Sequence, residues 1–211
     1  MSFGLVKHNN NSISAITTPG NLTQGKMTLI KEQTASSSSS ISFVDGSSSV
    51  VLDSTYPIYL FKFINIHPST ESKFTFQASS NTGSSYGIAA TTTNIQTYHV
   101  EDDEYYNVEY GGSHDHAQDT GFLKIAGQGI DDVNDSSLSG QCFLFNPSST
   151  TFVKHFIAHY SNHYTNSAPG VIDNYSAGYC NTTTAIDAVQ FKMDSGNIDA
   201  GTIKLYGLKD S

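Results

Sequence analysis

Clusters of histidine and carboxylate are where this chain could do chemistry. His114-Asp115-His116 is the first: on a strand, a His-x-His step turns both imidazoles to one face, the arrangement that zinc and iron sites use with a carboxylate from elsewhere. Gly111, Gly112 and Gln118 flank it, so it reads as a solvated polar loop with no third ligand in view. His155, His159 and His163 recur every four residues, but Phe152, Val153, Phe156 and Ile157 around them favour a strand. There His155 and His159 share a face about 13 Å apart, too far to hold one ion. They read as packed or surface side chains. Glu101-Asp102-Asp103-Glu104 and Asp131-Asp132-Val133-Asn134-Asp135 offer oxygen ligands of the kind calcium takes, without the EF-hand spacing, and read as solvated turns. No Cys–His pattern or phosphate-cradling loop occurs. Glycosidase carboxylates need not be close in sequence and stay open. No residue is nominated as catalytic, cofactor-binding or metal-ligating, and no enzyme activity is expected. The twelve tyrosines suit either carbohydrate stacking or a subunit interface.

The elements that must position these groups are strands. The run Tyr56 to Pro68 is β-branched and aromatic between two prolines, which belong at strand ends. Leu60, Lys62, Ile64 and Ile66 point one way and Tyr59, Phe61, Phe63 and Asn65 the other, so both faces are largely apolar. This predicts a central strand between a core and a second covering layer or a neighbouring subunit. Residues 1–25 read as an extended N-terminal arm, and alternation then starts with Met27, Leu29 and Lys31 against Thr28, Ile30 and Glu32. The serine tract 36–40 reads as a strand entrance or edge. Ile41 to Val44 and Val50 to Leu52 read as strands about an Asp45-Gly46 turn. Lys73 to Gln77 is expected to form a hairpin with the central run across residues 68–71. Ile95 to Val100 and Tyr105 to Tyr110 follow, joined by the acidic knot, with 79–94 a long loop or weak strand. The sole helix candidate is Phe122 to Ala126, kept short by Gly121, Gly127 and Gly129. Gln141 to Phe145 and Thr151 to Tyr160 predict a hairpin, 161–174 a polar loop, and Tyr175 to Cys180, Ala185 to Met193 and Thr202 to Tyr206 the last strands. About ten short strands with Gly, Asn, Asp and Pro between them predict an all-β fold, an antiparallel β-sandwich or jelly roll over residues 26–211.

Composition narrows the partners. Ten lysines, no arginine and nineteen acidic residues give a formal charge of −9, which argues against nucleic acid and against an anionic membrane surface. Charged residues make up 14%, against about 25% in typical globular domains, and Ser, Thr and Asn take their place on the surface. No run approaches the roughly 20 apolar residues that span a bilayer, and Met1 to Asn10 lacks the pattern of a secretion signal, so a soluble chain is expected. Cys142 and Cys180 sit in apolar, strand-like surroundings and read as buried free thiols.

Several phrases carry a resemblance: Leu52 to Tyr59, Phe61 to Pro68, Leu144 to His155 and Gly196 to Gly207. They look like a group of uncharacterised virion proteins of tailed marine bacteriophages, and the likeness runs from about Met27 to Gly207. The resemblance implies a β-rich virion structural protein; the expected partners are the major capsid protein or other virion proteins, and synthesis in the host cytoplasm is expected. With no coiled coil or β-helix stalk in the sequence, a whole tail fibre is disfavoured. The expectation is a capsid decoration or cement protein, a homo-oligomer with a trimer as one option, whose arm reaches across neighbours. The alternative is a tail-associated receptor- or glycan-binding tip that uses the loops at 79–94, 111–118 and 161–174.

Overall fold

The β-branched and aromatic runs form strands, and they stack in two layers. The computed structural model describes residues 27–125, 127–164 and 169–209, and no helix occurs among them. The expected arm at 1–25 lies outside the described residues. Thirteen strands form two antiparallel sheets, a β-sandwich. The larger sheet follows the order β1 (Met27–Thr34), β13 (Ile198–Leu208), β3 (Ile58–Pro68), β9 (Leu138–Phe145), β10 (Lys154–Tyr164), β11 (Gly170–Cys180), β5 (Ala90–Val100) and β6 (Tyr106–Tyr110), with β7 (Ala117–Asp119) also paired to β5. The smaller sheet runs β2 (Ile41–Val44), β12 (Ala188–Met193), β4 (Phe74–Ser79) and β8 (Leu123–Lys124).

The chain keeps changing sheets, and that accounts for the local expectations that failed. β4 does not pair with β3; it pairs with β12 and β8 across the sandwich. Pro68 ends the ladder, and the chain then crosses over, so Phe74 meets Phe63 edge to face between the sheets, ring centroids 5.2 Å apart, rather than through the backbone. β4 is accordingly buried along its whole length despite its alternating pattern. Val50 to Leu52 is no strand either. It is a buried loop, in which the Leu52 amide donates to Asp45 Oδ1 at 2.8 Å and Gly46 turns with φ +72°. At Phe122 to Ala126 the described residues form the short strand β8 in place of a helix. The loop expected at 161–174 is largely strand: β10 runs on to Tyr164 and β11 starts at Gly170. The consecutive strands that do pair, β5–β6, β9–β10 and β10–β11, stay within one sheet.

Two bulges adjust the faces. Asn65 adopts φ +51° and Gly201, opposite it, φ +112°; a Cβ on Gly201 would lie 2.5 Å from the Asn65 carbonyl oxygen. The register with β9 slips between Phe63 and Ile66, so Ile66 turns into the core while Asn65 is exposed, the reverse of simple alternation. On β1 the register with β13 slips between Leu29 and Lys31, and Ile30 packs against the core. The core itself is centred on Phe191, whose ring lies within 5.1–6.3 Å of those of Phe43, Phe61, Phe63, Phe74 and Phe76.

Candidate functional site

Among the described residues no second sheet lies over the outer face of the larger sheet. Because antiparallel partners point to the same side, register orders this face into rows. One row reads Met27, Leu208, Ile58, Phe145. The next reads Leu29, Tyr206, Leu60, Phe143, Ile157, Ala177. These two rows make a continuous apolar half across β1, β13, β3, β9 and β10. Met27, Leu29 and Ile157 are each about half exposed, at 47%, 49% and 48%, and Phe143 stacks on Phe145 with centroids 6.3 Å apart. Leu60 is buried in the middle of the row although it is no part of the core between the sheets. The two-sided apolar pattern of β3 thus has its physical counterpart: one face fills the sandwich, and the other contributes to an uncovered surface.

The other half of the face is grooved and mixed: polar on β3, β9 and β10, it carries exposed Val171 and Tyr175 on β11, Ile95 on β5 and Tyr106, Val108 and Tyr110 on β6. Its first row runs Glu32, Lys204, Lys62, Gln141, His159, Tyr175, with Lys204 paired to Glu32 at 2.9 Å. Ser139, Ser161 and Asp173 form the next row on β9, β10 and β11. His159 Nε2–H donates to Asp173 Oδ1 at 2.7 Å, and the imidazole stacks on the Tyr175 ring at 4.0 Å with the planes 10° apart. A depression of about 250 Å³ lies between Lys62, Gln141, His159 and Asp173. A second of about 480 Å³ adjoins it through Ser139 and Ser161 and reaches His163, His99 and Glu101.

The sequence candidates fall in different places. His155 and His159 share the outer face of β10, as the strand spacing requires, with Ile157 between them. His114 and His116 lie on the segment joining β6 to β7, and His114 is buried, not solvated. Burial pushes His114 down to about 4, with Lys73 and Lys124 adding to the effect, and burial likewise lowers His116. Among the described residues no group of three His, Cys, Asp or Glu converges as a metal site. Cys142 and Cys180 are free and buried, and burial pushes both thiols up, Cys180 to about 12, so neither is a nucleophile near neutral pH. The acidic knot forms the β5–β6 turn, with Asp103 at φ +62° accepting a hydrogen bond from His99 Nε2 at 2.9 Å. Sequence reasoning missed Lys62, Ser139, Gln141, Ser161 and Asp173 as a group. Each is an ordinary polar residue on its own strand, and only the registers of four strands bring them together.

Fold and surface together define an all-β sandwich with one half-apolar, uncovered sheet face. Compared with family models, curated proteins and solved structures, the chain matches none of them.

Proposed function

We propose that this chain is a structural protein of a virus particle, a capsid decoration or cement protein that lays the apolar half of its outer sheet face on the assembled shell. The observation that carries the reading is the row pair from Met27 and Leu29 to Phe145 and Ile157: apolar side chains aligned across five strands of an otherwise Ser-, Thr- and Asn-rich protein. The rows span about 24 Å by 13 Å, roughly 300 Å² in plan. The largest apolar patch on a typical soluble monomer is about 300–600 Å² and is often functional. The virion-protein resemblance of residues 52–68, 144–155 and 196–207 supports the same reading. Much of that resemblance lies on β3 and β13, which contribute to the patch.

Mechanistically, such a protein catalyses nothing. Burying apolar area contributes about 25 cal/mol per Å², and a ligand that binds only the assembled shell stabilises it by mass action. Oligomerisation would multiply each weak contact. The test is the copy number of the chain in purified particles, by quantitative mass spectrometry relative to the major capsid protein, together with rebinding of Leu29→Glu and Phe143→Asp variants to stripped shells. Near-stoichiometric abundance and loss of rebinding by both variants, with unchanged circular dichroism, are expected. Absence from particles, or a small number matching tail symmetry, overturns the shell assignment.

A further inference from the structure

The polar half of the outer face fits a ligand of another kind. Ser139 and Ser161 are small, so the sheet surface dips between Lys62 and Gln141 on one side and His159 and Asp173 on the other. The dip continues past the serines toward His163 and His99. The depression that Lys62, Gln141, His159 and Asp173 line is about 250 Å³, just below the roughly 300–1,000 Å³ range of small-molecule sites, and it opens past Ser139 and Ser161 into one of about 480 Å³. From His159 to His163 and from β9 to β11 it covers about 13 Å by 10 Å.

The polar groups are of mixed type. Lys62 forms no ion pair among the described residues, and its ammonium donates. Asp173 uses Oδ1 for His159 and retains a second acceptor oxygen. Gln141 both donates and accepts, and the two serine hydroxyls do the same. His159 is held twice, by Asp173 and by the parallel Tyr175 ring, so a flat ring surface borders the groove at little further ordering cost.

Ligand classes separate on this chemistry. A nucleic acid needs clustered cations, and here a single free lysine sits on a chain of formal charge −9. A peptide adding as a strand needs an open edge, but β9, β10 and β11 are interior strands paired on both sides. An apolar ligand would leave Lys62, Asp173 and Gln141 desolvated and unpaired. A polyhydroxylated ring presents hydroxyls to the donors and acceptors and C–H groups to the planar ring. We infer that the groove bounded by Lys62, Gln141, His159, Ser139, Ser161 and Asp173 is a glycan-binding site that takes a pyranose ring. The site stands apart from the apolar half and does not depend on the shell reading. Two of its residues, Ser161 and Asp173, fall in the 161–174 stretch.

The test uses the full chain, ¹⁵N-labelled, titrated by NMR with methyl glycosides of glucose, galactose, mannose, N-acetylglucosamine and galacturonic acid, alongside a glycan array. Shifts confined to β3, β9, β10 and β11 with at least one pyranoside are expected. Affinity should fall about tenfold or more in His159→Ala and in Asp173→Asn, the loss of one charge-assisted contact. Thr93→Ala, on the same face outside the groove, should bind as the parent does, and matching amide spectra establish that each variant is folded. No binding to any glycoside or array glycan, or binding that His159→Ala and Asp173→Asn leave unchanged, overturns the site.

Discussion

The inner face of the larger sheet is two different interiors side by side. At β13, β3 and β9 it is covered by the smaller sheet, and its residues are Leu205, Phe61, Phe63 and Cys142 against Phe43, Phe74 and Phe191. Follow the same rows to β11 and β5 and they become Ser176 and Asn94, then Asn174 and Gln96, all buried. There Asn94 Nδ2 donates to Asn174 Oδ1 at 2.7 Å and to Ser176 Oγ at 2.6 Å, and Gln96 Nε2 donates to Glu109 at 2.6 Å. The cover differs too: irregular chain lies on this half, with the Gly127 amide donating to Tyr160 OH at 2.7 Å and Asn162 Nδ2 to the Gly129 carbonyl. A sheet lid satisfies its own backbone, so the layer beneath it can be purely apolar. An irregular lid leaves backbone groups to be paired from below, as Tyr160 OH and Asn162 Nδ2 do, while Asn94, Gln96 and Asn174 pair with one another and with Ser176 and Glu109.

The two halves should fail differently. The largest effect is expected from Phe191→Ala, which removes the ring that touches five others and costs about 3–5 kcal/mol, read from the denaturant midpoint. Asn174→Ala comes next. It removes one of the two acceptors of Asn94 Nδ2 and the donor to Gln96 Oε1 in a buried site and should cost about 1–3 kcal/mol. Amide exchange sharpens the contrast: Asn174→Ala should release protection locally on β5 and β11, whereas Phe191→Ala should lower it everywhere. If Asn174→Ala lowered protection throughout the molecule, the two interiors would be one cooperative unit and the distinction would fall.

The apolar half was legible in the sequence and the polar half was not. Tyr56 to Pro68 declares a doubly apolar central strand because every side chain in it has a preference, and the hairpin at residues 141–160 follows from length and turn residues alone. Strand pairing across the sandwich has no such local signal. Lys73 to Gln77 alternates like any hairpin partner of β3, and only the three-dimensional path after Pro68 sends it to the other sheet. Asn94, Gln96, Asn174 and Ser176 look like solvent-facing residues one at a time, since buried amides are recognised by their partners and those lie 78 to 82 positions away. The outer groove is hidden for the same reason, as Lys62, Gln141, His159 and Asp173 share a surface only through strand register.

His114 offers the finest test of the polar half. It sits against Asn94 at the turn after β6: a Cβ on Gly111 would touch both Asn94 Oδ1 and the His114 ring. Burial, reinforced by Lys73 and Lys124 and opposed by Glu109 and Asp115, holds its imidazole down to about 4. An unfolded histidine titrates near 6.5, so above that pH both states are neutral and the stability is complete. As pH falls from about 6.5 toward 4 the unfolded chain takes up a proton that the folded chain refuses, and stability is lost; below about 4 the loss levels off. Over the first unit of that window His114 should account for about 1 kcal/mol, the smallest of these effects. Urea midpoints for the parent and His114→Gln, compared near pH 7 and near pH 5.5, read it directly. The variant should lose less stability on acidification, while Phe191→Ala should lower both midpoints and leave the pH difference unchanged. Equal pH differences in the parent and His114→Gln would mean that the buried polar half tolerates charge, and its separation from the aromatic half would then rest on packing alone.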